Sequence, residues 1–139
     1  MAANTNPIYA LTPNMGLATG INTANATADI TSGTSYLVFT AGSNGAWVKD
    51  VVVKANPGTN TAATALRLWL NNGGATGTAA NTTLIREVAA TATTASTTAA
   101  QSDFTIVVNR ALPAGYKLYL TIGAYTAGAF TATAFGGDY

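Results

Sequence analysis

Acid–base chemistry in this chain has five carboxylates to draw on: Asp29, Asp50, Glu87, Asp103 and Asp138. None sits in a motif that couples it to a second carboxylate, so they read as solvated side chains rather than as an acid–base pair. The chain has no histidine and no cysteine. That excludes a Ser-His-Asp triad, thiol nucleophiles, thiolate zinc sites and disulfides. No Ser-x-x-Lys occurs. Gly73-Gly74-Ala75-Thr76-Gly77 lacks the Gly-Lys-Ser/Thr ending of a phosphate loop and reads as a turn. The acids are too dispersed for a calcium cage. No catalytic, cofactor or metal site is expected, and the chain is read as not being an enzyme.

What remains is contact chemistry. Leu66, Leu68 and Leu70 alternate with Ala65, Arg67 and Trp69. A period of two sends the leucines to one face of a strand and Arg67 and Trp69 to the other. Aromatic rings and guanidinium groups are enriched at protein interfaces, so Trp69 and Arg67 are candidate partner contacts. Tyr119, Tyr9 and Tyr139 join them. Trp47 reads as packing at a sandwich rim, with its N–H satisfied locally. Phe130, Phe135 and Tyr125 read as core or subunit contacts.

The strands that would position these side chains are legible from alternation and turn signals. Residues 36–41 are β-branched and aromatic, and Asn44-Gly45 after them is a strong hairpin signal. Residues 47–55 return as the next strand; Val51, Val52 and Val53 run consecutively, so both faces are partly buried there. The leucine strand spans about 63–70. Residues 84–88 follow, and an antiparallel pairing would set Glu87 opposite Arg67. Residues 103–109 turn Phe104, Ile106 and Val108 inward. Residues 116–122 show the cleanest alternation, with Tyr116, Leu118, Leu120 and Ile122 on one face. Residues 127–135 form the last strand. The stretches 71–81 and 89–101 are loops of small and polar residues. Residues 1–34, with Pro7 and Pro13, read as an extended N-terminal arm in which 8–11 and 15–21 are candidate short edge strands. The expectation is an all-β chain: one antiparallel β-sandwich or jelly roll of about eight strands over 35–139, preceded by the arm.

Charged residues make up only 8% of the 139 residues, and the net charge is +1. Ordinary globular chains carry roughly 25%. A surface so rich in Ala, Thr, Asn and Gly suits a protein packed against copies of itself or against a larger shell. The six bases are scattered, which argues against nucleic acid as a partner. No stretch reaches the roughly 18 apolar residues of a membrane span, and no signal peptide is read at the N-terminus.

Four stretches carry a family resemblance: Ala65-Leu66-Arg67-Leu68-Trp69-Leu70-Asn71-Asn72-Gly73, Leu84-Ile85-Arg86-Glu87-Val88, Leu112-Pro113-Ala114-Gly115-Tyr116-Lys117-Leu118 and Gly136-Gly137-Asp138-Tyr139. Over the region from about Trp47 to the C-terminus the chain resembles the small all-β virion proteins that tailed bacteriophages encode near their capsid genes. The resemblance implies a capsid cement or decoration protein. It would be located in the virion at the capsid surface after synthesis in the host cytoplasm. Its partners would be the major capsid protein and copies of itself, with a trimer expected. It implies no catalytic residues. A module of a different class, a tail-fibre or receptor-binding sandwich, would use Trp69 and Tyr119 to stack on host surface glycans. The position of those aromatics separates the two: an open groove favours sugar, burial against another chain favours cement.

Overall fold

The computed structural model describes residues 10–25, 27, 30–124 and 126–139. Eight strands run in chain order: β1 (Thr12–Ile21), β2 (Tyr36–Thr40), β3 (Ala46–Ala55), β4 (Thr64–Asn71), β5 (Thr82–Ala90), β6 (Asp103–Leu112), β7 (Lys117–Ile122) and β8 (Phe130–Asp138). A single 3-10 turn, Ala79–Asn81, precedes β5, and no α-helix occurs among the described residues. The strands form two four-stranded sheets, ordered β1-β8-β3-β6 and β2-β7-β4-β5. Every strand pairing is antiparallel. The chain pairs with itself as a nested hairpin: first strand with eighth, second with seventh, third with sixth, fourth with fifth. The β3–β8 and β4–β7 ladders then close each sheet. This is the all-β sandwich that the alternation calls for.

The core lies between the sheets. Leu66 and Leu68 of β4 and Leu118, Leu120 and Ile122 of β7 are fully buried there, each contributing about 1.5–3 kcal/mol. They face Val48, Val51 and Val53 of β3 and Phe104, Ile106 and Val108 of β6. Phe104 and Phe130 meet edge to face, with ring centroids 6.3 Å apart. In β3 the inward phase shifts by one residue, because the ladder is irregular between Val48 and Asp50. A bulge of this kind lets Val48 and Val51 both point inward, although strict alternation would separate them.

Two expectations change. The Asn44-Gly45 turn is not a hairpin: β2 belongs to the second sheet and β3 to the first, so the link arches between layers. The turn chemistry is as expected, with Gly45 at φ +90° and its N–H donating to the Gly42 carbonyl at 3.1 Å. Such chemistry reverses the chain but does not choose which sheet receives it. The second change is in the segment read as an arm. Residues 12–21 form a ten-residue edge strand of the first sheet, and Ile21 is fully buried in the core. Pro13 fits there because an edge strand can spare one N–H.

Candidate interaction surface

Most of the described residues able to do ionic chemistry are tied into the sandwich. Arg67 donates from Nε to Glu87 Oε1 at 2.9 Å, in the cross-strand register that pairs the two positions. Lys54 and Asp103 meet at 2.6 Å between β3 and β6, and Lys49 lies 3.8 Å from Asp50. Asp138 is structural. Its Oδ1 accepts from Asn14 Nδ2 at 2.9 Å and from the Gly42 N–H at 3.0 Å. Asn14 also donates to the Thr40 carbonyl at 3.0 Å. One carboxylate thus pins β8 to β1 and to the β2–β3 arch. Asp29 lies outside the described residues. No group of three or more metal-ligating side chains gathers among the described residues.

The expected contact residues divide. Trp69 lies on the outer face of the second sheet, as the period of two requires, but it is not open there: only 4% of it is exposed. Its neighbours in register are Leu84 on β5 and Tyr119 on β7. Its indole N–H donates to Thr121 Oγ1 at 3.0 Å. Trp69 and Ile30 are the two buried apolar residues that stand outside the inter-sheet core among the described residues. Arg67 and Tyr119 are half-buried beside it. Tyr139 is half-buried beside the β2–β3 arch, where its N–H donates to the Gly45 carbonyl and its own carbonyl accepts from Asn44 Nδ2. Tyr9 and Tyr125 lie outside the described residues. The structure therefore gathers Trp69, Arg67 and Tyr119 on one face and leaves Tyr139 apart.

Among the described residues, the exposed large apolar side chains gather elsewhere, on the outer face of the first sheet. Leu11 just before β1, and Met15 and Leu17 within it, are exposed at 82%, 67% and 66%. They share a side with Pro13. The residues between them, Asn14, Gly16 and Ala18, point into the sandwich. This inverts the usual rule that apolar side chains of an edge strand face the core. The cause is the close approach of β2: a Cβ on Gly16 would stand 1.7 Å from the Val38 carbonyl oxygen. Only small residues fit on that side, so the large ones turn outward. The sheet registers carry the surface across: Met15 pairs with Phe135, Phe135 with Asp50, and Asp50 with Val107. Trp47 stands one row away, opposite Gly137. Between them lies a shallow groove of about 530 Å³, walled by Leu11, Pro13, Trp47 and Phe135, with Lys49 at its edge. The Leu11-x-Pro13-x-Met15-x-Leu17 alternation was the sequence signal for this stripe.

A smaller cleft of about 210 Å³ opens between the sheets on the β5–β6 side, lined by Leu70, Ile85 and Leu112 with Arg86 and Arg110. Arg86 Nε donates to the Val107 carbonyl at 3.1 Å, which ties the two sheets together there.

No family model and no curated protein matches the chain. Among solved structures it is similar to a chain described as "Cyanophage Pam1 capsid asymmetric unit". The identity is 14% and the TM-score 0.41, with 100% of this chain and 95% of that chain covered. A likeness that distant assigns no role.

Proposed function

We propose that this chain is a structural protein of a tailed-phage virion: a cement or decoration protein that binds the outer capsid surface and stabilises it, without catalysis. The observation that carries the reading is the exposed apolar outer face of the first sheet. Large apolar side chains gathered in the open on one sheet face mark a surface that meets a partner, since the largest apolar patch of a protein is often functional. The low charge of the chain agrees, since a protein held in a shell does not depend on charge for solubility. The carboxylates agree as well: each of the four described ones is engaged in an ion pair or a structural hydrogen bond. The nested wrapping of the strands in a two-sheet sandwich is compatible with a jelly roll, an architecture used by viral capsid and lectin domains alike, so it permits this function without selecting it. The partners in this reading are the major capsid protein and copies of this chain, expected as a trimer. Many repeated contacts over a shell sum through avidity, so no single contact has to be strong.

The glycan-binding reading has less support, because Trp69 is covered within the chain and Tyr119 beside it is half-buried. The open groove near Trp47 is a poor substitute: among the described residues it offers Lys49 as its one charged side chain, whereas sugar recognition needs several placed polar groups for the hydroxyls. The test is co-sedimentation with capsid shells that lack the protein. Saturable binding at a fixed ratio to capsid subunits supports the reading. A folded protein that stays in the supernatant rejects it and turns the search to glycans.

A further inference from the structure

We infer that the outer face of the β1-β8-β3-β6 sheet is the surface through which one copy of this chain associates with another. The inference rests on the structural-protein reading above and names the partner of its apolar face. The two outer faces of the sandwich differ. On the second sheet the large aromatic, Trp69, is already covered within the chain and its N–H is satisfied. On the first sheet Leu11, Met15, Leu17, Trp47, Phe135 and Val107 are all exposed. Their exposed fractions amount to roughly 600 Å², the top of the range for the largest patch on a typical monomer. That is most of the roughly 800 Å² per partner that a standard stable interface buries.

Three features select an identical copy as the occupant. Apolar character of this degree is typical of homo-oligomer interfaces, which resemble a core cut in two, rather than of contacts between partners that live apart. The charges also allow it. The two lysines of this face, Lys49 and Lys54, each stand beside an acid, Asp50 and Asp103, so a second copy meets as many acids as bases there. Shape allows it too: the groove walled by Leu11, Pro13, Trp47 and Phe135 lies within the patch and can receive an apolar side chain of the second copy. The inversion of β1 explains how the sequence builds the patch. Small residues inside let β1 lie against β2, and the large residues displaced outward become the interface.

The test is sedimentation velocity on the full chain from about 1 to 100 μM, with Met15→Glu/Leu17→Glu as the variant and Leu37→Glu, on the outer face of the second sheet, as the control. Both variants place charge at exposed positions, and circular dichroism checks that each is folded. The expected result is a wild-type oligomer, a shift of at least a hundredfold in the dissociation constant for Met15→Glu/Leu17→Glu, and wild-type association for Leu37→Glu. A wild-type protein that stays monomeric at 100 μM overturns the inference, as does a folded Met15→Glu/Leu17→Glu variant that associates like wild type. The capsid reading fails separately. An oligomer that ignores capsid shells rejects that reading and keeps this inference. A monomer that binds shells, and loses binding on Met15→Glu/Leu17→Glu, rejects the self-interface and keeps the reading.

Discussion

Replacing Trp69 with alanine separates a covered tryptophan from an open stacking platform. The side chain is 96% removed from solvent by its own chain, so its loss costs what a buried aromatic costs, about 3–5 kcal/mol. Thr121 Oγ1 also loses its 3.0 Å donor while remaining buried, which adds about 1 kcal/mol. Against a total of about 5–15 kcal/mol for a domain of this kind, that is a large share. The expected drop in melting temperature is about 14–20 °C, from an unfolding entropy near 2.1 cal/mol/K per residue over the 139 residues. Trp69→Phe keeps most of the ring and loses only the hydrogen bond, so a drop of about a third of that is expected. Urea and thermal unfolding followed by circular dichroism read both variants. If Trp69→Ala melts within about 3 °C of wild type, Trp69 is not a packed residue and the reasoning fails.

Further outcomes follow from the close contacts and the buried polar groups. Gly16→Ala is expected to destabilise by more than 2 kcal/mol, because its Cβ would overlap the Val38 carbonyl and only backbone movement relieves it; denaturant midpoints check this, with exposed Thr19→Ala as the neutral comparison. Asp138→Ala removes the acceptor shared by Asn14 and Gly42 and is expected to cost about 1–3 kcal/mol. Hydrogen exchange at the Gly42 amide should then accelerate, and an unchanged rate would contradict the tie. Thr61 and Thr93 share a buried hydroxyl–hydroxyl bond of 2.6 Å that anchors the 89–101 loop. Either single valine variant should cost about 1–3 kcal/mol, whereas the double variant should recover most of it. The Arg67–Glu87 pair is half-exposed, so a double-mutant cycle is expected to return a coupling below about 1 kcal/mol.

Much of the sandwich was legible because its strands obey a period of two. The inward sets Leu66–Leu68, Phe104–Ile106–Val108 and Leu118–Leu120–Ile122 lie where alternation places them, and Glu87 faces Arg67 as an antiparallel register requires. The first strand was harder. Its large apolar residues point outward, and what forbids them inside is the Val38 carbonyl, which lies 22 residues away in sequence from Gly16. Local patterning shows the alternation of large and small residues but not which of the two sets faces inward. The burial of Trp69 was hidden for a related reason. Its face was correct, but its burial depends on Leu84, Tyr119 and Thr121, which only the completed sheet sets beside it. The Asn44-Gly45 turn shows the same limit, since its φ angles were readable and its destination sheet was not.

The most direct measurement is hydroxyl-radical footprinting of the assembled protein against the same protein diluted to monomer, read by mass spectrometry at Met15, Trp47 and Phe135, with Leu37 and Leu84 as controls. If the outer face of the first sheet is covered in the working assembly, oxidation at the first three falls at least fivefold on assembly while the two controls stay constant. Equal oxidation of Met15 and Phe135 in both states would contradict the account.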